Sequence, residues 1–166
     1  FRQLTSEQIQ EKIESAPDLS DGKTIEVSEH KRYFIYVLEN AKKHIYIQSP
    51  WVRDNILKIY KTHIESALKR SVKVCIKYGM KPRNRFDKVG IDDKAKEFFN
   101  ELQAKFPQLF KLKTDNNHSK ILICDDEFML IGSFNWLSFG GENKDDKENR
   151  GETSTVNKNQ QSIKKE

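Results

Sequence analysis

The sequence predicts an α/β fold in which a mixed β-sheet carries helices on both faces. Three observations predict it. Short apolar runs at 44–48 and 72–78 read as strands. Each is followed by a segment whose apolar residues repeat at helical spacing. Three further apolar runs then crowd together at 110–114, 120–124 and 128–131, and the last two are joined by only Asp125-Asp126-Glu127, as in a hairpin. Strands that alternate with helices and then pair locally call for parallel and antiparallel neighbours in one sheet.

The elements follow in order. Residues 5–15 read as a short helix capped by Thr5 or Ser6. Pro17, Asp18, Asp21 and Gly22 mark a turn. A helix is expected from about Ser28 to Lys43, with Tyr33, Val37, Leu38 and Ala41 on one side. Ser28 and Lys31 make no capping box, so its start has no sharp signal. The strand His44-Ile45-Tyr46-Ile47-Gln48 ends at Ser49-Pro50. A helix over 53–69 places Ile56, Leu57, Tyr60, Ile64, Ala67 and Leu68 on one face. The strand Val72 to Tyr78 leads into a basic loop, 79–85. A helix over 92–106 keeps Ala95, Phe98, Phe99, Leu102 and Phe106 in register. Beyond the hairpin, residues 140–151 are polar and charged and read as a mobile loop, and Glu152 to Val156 returns as a short strand. From Asn157 onward only Ile163 is apolar. The expected organisation is an N-terminal helical extension (1–27), one domain (28–156) and a disordered tail or truncated linker (157–166). There is no internal repeat.

A length of 166 residues suffices for one domain with a hydrophobic core. The first residue is Phe1 rather than Met, which fits a fragment or a processed chain. Thirty Lys and Arg against 25 Asp and Glu leave a net charge of +5, which favours a polyanionic partner such as nucleic acid. Cys75 and Cys124 sit in apolar β-like runs and read as buried free thiols, which suits a reducing, cytoplasmic compartment. No Cys or His spacing fits a zinc site, no apolar run reaches the length of a membrane span, and no signal-peptide pattern opens the chain.

The chemistry concentrates between Asn117 and Trp136. His118 and Lys120 are two apart on an entering strand, so their side chains leave the same face. The returning strand ends at Gly132-Ser133-Phe134-Asn135, which brings Ser133 and Asn135 back beside His118 and Lys120. An imidazole, an ammonium, an amide and a hydroxyl then meet at one sheet edge. Such a set suits a phosphate: Lys120 supplies charge, Ser133 and Asn135 neutral donors, and His118 attacks or moves protons.

His118, Lys120, Asp125, Gly132, Ser133 and Asn135 occupy every position of the pattern His-x-Lys, four residues, Asp, six residues, Gly-Ser-x-Asn. In this the chain resembles the phospholipase D superfamily over roughly residues 30–156, and Gly-Ser-Phe-Asn-Trp-Leu-Ser looks like its nuclease-like branch. The resemblance implies a phospholipase D-like α/β/α sandwich. It implies that His118 attacks phosphorus to form a covalent phosphohistidine, while a second histidine protonates the leaving oxygen and later activates water. Lys120 and Asn135 would hold the nonbridging oxygens, with Ser133 supporting the phosphate pocket. Asp125, at the hairpin turn, takes a structural or supporting role. Glu152 resembles the acidic residue that fixes the histidine's other nitrogen, with Glu148 as the rival. The implied chemistry needs no metal or other cofactor. Family members need two motif copies face to face, and this chain has one, so the expected partner is a second copy in a two-fold homodimer. Other domains of a larger parent chain are the alternative source.

The remaining candidates are read against their simpler explanations. His30, His44 and His63 are expected to be structural or solvent-exposed. Trp51 reads as core or dimer interface rather than as a base-stacking platform. Lys81, Arg83 and Arg85 either grip a nucleic-acid backbone or form a solvated basic loop. Lys42 and Lys43 read as cations at a helix end. Trp136 and Phe139 lie beneath the pocket or form its wall. The expected activity is a metal-independent nuclease acting on DNA or RNA. The alternatives are a phospholipase or phosphatidyl transferase, and a non-catalytic nucleic-acid-binding effector domain.

Overall fold

The computed structural model describes residues 16–80, 90–141 and 151–164. The expected helix at 5–15, most of the basic loop with Lys81, Arg83 and Arg85, and Glu148 lie outside the described residues.

In chain order the elements are β1 (Thr24–Ile25), a 3-10 turn (Val27–Glu29), α1 (His30–Asn40), β2 (His44–Ser49), α2 (Asp54–Lys69) and β3 (Lys73–Tyr78). There follow α3 (Asp93–Lys105), β4 (Phe110–Thr114), β5 (Ile121–Cys124), β6 (Phe128–Gly132), β7 (Ser154–Asn157) and α4 (Gln160–Ile163). The strands form one mixed sheet in the order β1-β7-β6-β5-β2-β3-β4. β2, β3 and β4 run parallel, linked by α2 and α3, and the other neighbouring pairs are antiparallel. This is the mixed α/β architecture that the alternation of apolar runs predicts.

Strand periodicity sorts the side chains between the faces. Ile45, Ile47, Val74, Ile76, Phe110, Leu122, Phe128, Leu130 and Val156 point to one side, where α1, α2 and α3 cover them. Tyr33, Phe34, Val37 and Leu38 of α1 and Leu57, Tyr60, Ile64 and Leu68 of α2 complete that core. On the other face Ile121, Ile123 and Met129 form a smaller cluster with Ile163 of α4.

Several boundaries differ from expectation, each for a tertiary reason. The helix expected to reach Lys43 stops at Asn40. The backbone N–H groups of Lys42, Lys43 and His44 turn instead to the Asp125 carboxylate, at 3.0, 2.7 and 2.9 Å. Lys42 and Lys43 therefore act through their backbone. The helix begins after a 3-10 turn in which the Glu26 N–H donates to Glu29 Oε2 at 2.9 Å. β1 escapes sequence reading because two residues carry no period; it exists because Thr24 and Ile25 pair with Thr155 and Ser154.

The segment read as a disordered tail or linker needs amending. Asn157 still belongs to β7, and α4 follows, capped by Asn159 Oδ1, which accepts from Gln161 and Ser162 N–H. Ile163, at 4 % exposure, explains why this stretch folds back: it closes the smaller apolar cluster.

Candidate active site

Topology decides where the chemistry gathers. The parallel strands β2, β3 and β4 all finish at one edge of the sheet, and β5 and β7 start there. Ligands of open α/β sheets bind at such an edge. His118 and Lys120 precede β5, whose Ile121 faces Gln48 of β2. Ser133 to Asn135 follow β6, and Glu152 precedes β7. The main chain leading to His118 is pinned there: the Asp115 N–H donates to Tyr78 O at 2.8 Å and the Asn117 N–H to Gly79 O at 3.3 Å.

His118 is exposed while Lys120 is 7 % exposed. The Lys120 ammonium lies 3.1 Å from Nδ1 and 3.2 Å from Nε2 of His118 and donates to its backbone oxygen at 2.7 Å. A buried cation thus supports an accessible imidazole. Burial lowers the Lys120 ammonium below its ordinary value of 10.5, and the charge of Glu152 works in the opposite direction.

Gly132 has a steric reason to be glycine: a Cβ there would stand 2.1 Å from Thr153 O and 2.6 Å from Ser154 Cα. That approach lets Ser133 lock onto β7. The Ser133 N–H donates to Thr153 O at 2.9 Å, and Ser133 Oγ accepts from the Thr153 N–H at 3.1 Å. Asn135 is half-buried, and its Oδ1 is buried with no hydrogen-bond partner among the described residues. The Asn135 main-chain carbonyl accepts from Ser138 and Phe139 N–H, which fixes the turn after β6.

His118, Lys120, Ser133, Asn135 and Glu152 therefore share one edge. Asp125, for which the hairpin turn implies a structural or supporting role, does not. It lies beyond the far end of β5, where its main-chain N–H donates to His44 O at 2.9 Å. Burial pushes the Asp125 carboxyl up, but the backbone N–H groups of Lys42, His44 and Lys43 together pull it below 3.8. Its φ of 52° suits an Asp at a left-handed turn position.

Two residues outside the motif join the site. His30, expected to be structural or exposed, is fully buried. Its Nδ1 lies 2.9 Å from Glu26 O, and its Nε2 lies 2.9 Å from Ser154 Oγ. Its ring stacks on Phe134 with centroids 4.0 Å and planes 7° apart. Burial lowers its pKa below 6.5, with the Glu26 and Val27 main chain and the charge of Glu152 opposing. Trp51 is expected in the core or at a dimer interface. Among the described residues it takes no place in either apolar cluster; its half-buried ring lies 5.4 Å from that of His118, near perpendicular at 76°. The Ser-Pro break after β2 was the only sequence signal for its position. Trp136 is fully buried beneath the site, and Phe139 packs on the core.

His44 and His63 lie elsewhere, beside Asp126 at 3.8 Å and Glu39 at 3.1 Å. A cavity of about 460 Å³ on the opposite sheet face, lined by His44, Tyr46, Cys75, Asp126 and Ile163 among others, sits towards the start of β2 and away from His118. Cys75 and Cys124 are free thiols, and burial first, then Asp125 and Glu127, pushes the Cys124 thiol up to about 12. No described helix is long and apolar enough to cross a membrane.

The family model described as "Cardiolipin synthase, PLD-like domain" matches residues 34–160. NucT from Helicobacter pylori is similar in structure, with a TM-score of 0.55 and 16 % identity over 87 % of this chain and 89 % of that one. Nuc from Salmonella typhimurium, a phospholipase D family member, has a TM-score of 0.51 and 20 % identity over 81 % and 80 % of the two chains. TrmBL2, an archaeal chromatin protein with a novel mode of DNA binding, has a TM-score of 0.59 and 17 % identity over 95 % of this chain, which spans 53 % of that protein. No curated protein matches in sequence.

Proposed function

The chain belongs to the phospholipase D-like family, and from that premise we propose that it is a phosphodiesterase that cleaves DNA or RNA through a covalent phosphohistidine. The observation that carries the reading is the Lys120 ammonium held 3.1–3.2 Å from both ring nitrogens of an exposed His118.

In this reading a ring nitrogen of His118 attacks phosphorus. The N–P bond forms as the P–O bond to the leaving group breaks, and the departing oxygen takes a proton from a second histidine. That histidine then removes a proton from water. The resulting hydroxide displaces His118 and leaves a phosphate monoester. Lys120 and Asn135 meet the charge that grows on the nonbridging oxygens, with Ser133 supporting the pocket. Glu152 orients the imidazole. Lys81, Arg83 and Arg85 grip the nucleic-acid backbone. The reaction asks nothing of a metal ion.

Both ring nitrogens of His30 are engaged, by Glu26 O and Ser154 Oγ, and His44 and His63 lie away from the site beside Asp126 and Glu39. The second histidine is therefore assigned to a second copy of the chain, facing the first across a two-fold axis. The catalytic unit extends from Thr24, where β1 joins the sheet, to Ile163, which closes the smaller apolar cluster. Nucleic acid is favoured as substrate by the net charge of +5 and by the likeness to a DNA-binding chromatin protein.

One experiment tests the activity. The protein and H118A are incubated with labelled DNA, RNA and a phospholipid in the presence of chelator. Chelator-resistant cleavage of nucleic acid that disappears in H118A supports the proposal. Turnover of lipid alone replaces it with a phospholipase, and binding without turnover makes the chain an effector domain. A strictly monomeric protein with full activity would contradict the shared site.

A further inference from the structure

We propose that the Trp51 indole is a nucleobase platform, so that the site takes single-stranded rather than duplex nucleic acid. This rests on the reading of the site as one for a nucleic-acid phosphodiester.

Three observations carry it. The first is position: the Trp51 ring lies 5.4 Å from the His118 ring. That is within reach of the nucleoside flanking the phosphate that His118 faces. The second is exposure. Trp136, the other tryptophan, is fully buried, whereas Trp51 is half-buried and outside both apolar clusters among the described residues. A large aromatic ring left partly in water forgoes the burial that stabilises Trp136. Its near-perpendicular contact, 76° between planes, lets the imidazole cover at most one face of the indole.

The third is rigidity. The main chain is tied down on each side of the ring. The Gly79 N–H donates to Pro50 O at 3.1 Å, and Ser49 Oγ donates to Trp51 O at 2.9 Å. The Val52 N–H donates to Gly90 O at 2.8 Å and the Arg53 N–H to Leu137 O at 2.9 Å. The indole therefore stands on a fixed backbone, and a base that stacks on it loses little to ordering the protein. Stacking needs an unpaired base with a free face; bases in a duplex already stack on their neighbours.

The test compares W51A and W51F with the wild type on a natural single strand, the matching duplex and an abasic strand of equal length. An abasic strand keeps every phosphate and lacks every base. The platform predicts that W51A raises KM on the natural strand about tenfold more than on the abasic strand, and that W51F recovers most of the loss. It also predicts that the wild type prefers the single strand to the duplex. Equal losses on natural and abasic strands would overturn it, because Trp51 would then only brace His118. A shift of W51A from dimer to monomer that accounts for the loss would also overturn it.

Binding of the same labelled strands by H118A and by H118A/W51A keeps the platform testable without turnover. If the wild type cleaves no strand but H118A binds the natural strand about tenfold better than H118A/W51A does, the nuclease reading fails and the platform stands. Equal binding by the two would overturn the platform whatever the turnover.

Discussion

Gly132 and Thr153 approach so closely that a Cβ at 132 would stand 2.1 Å from the Thr153 carbonyl oxygen. The neighbouring contact is backbone on both sides, so a flexible side chain cannot relieve it. G132A must push β7 from β6 beside Ser133. The expected loss is about 3 kcal/mol of stability with loss of activity, read from the urea midpoint and from turnover.

Asp125 serves three backbone N–H groups from residues more than 80 positions away. D125A leaves them without an acceptor and should cost about 3 kcal/mol. D125N keeps one carbonyl oxygen and tolerates the left-handed backbone, so it should cost less. Turnover per folded molecule should hold in both, because Asp125 sits at the other end of β5 from His118. A large drop in kcat with unchanged stability would give Asp125 a part in the chemistry.

Lys120 must stay charged to hold a phosphate. K120A should lower kcat by about 10²–10³-fold with a small effect on stability. Because burial lowers its pKa, the alkaline limb of kcat/KM should fall below the ordinary 10.5. Glu152 raises that pKa, so E152Q should move the limb to still lower pH, and K120R should move it up. A limb that ignores both changes would separate Lys120 from the phosphate.

His30 is held neutral by burial, with a folded pKa below 6.5. The unfolded chain then binds more protons than the folded one as pH falls below that value. The stability contributed by His30 is present above about 6.5 and lost on acidification. The wild type should melt well above H30Q at neutral pH, and the gap should narrow towards pH ~5. A gap that widens on acidification would mean that His30 is charged in the fold.

Much of the site was legible because its spacing is local. His118 and Lys120 share a face through strand parity, and the tight 125–127 turn returns Ser133 and Asn135 to the same edge. Gly132 was visible as a motif position, but its steric reason lies in Thr153, 21 residues later, and was not. The place of Trp51 was not legible: the fixed backbone at 49–53 sets the ring beside His118, 67 residues on in the sequence. His30 was invisible as part of the site because its partner Ser154 is 124 residues away.

By itself, the sequence determined the α/β alternation, the hairpin and the gathering of His118, Lys120, Ser133 and Asn135, since each depends on periodicity or on neighbours within about twenty residues. Only the tertiary structure decided the end of α1 at Asn40, the pairing of β1 with β7, the docking of Ile163 and the placing of His30 and Trp51 beside the motif. These depend on which distant surfaces meet when apolar faces are buried. A backbone N–H or an aromatic ring carries no mark in the sequence of the partner it will find.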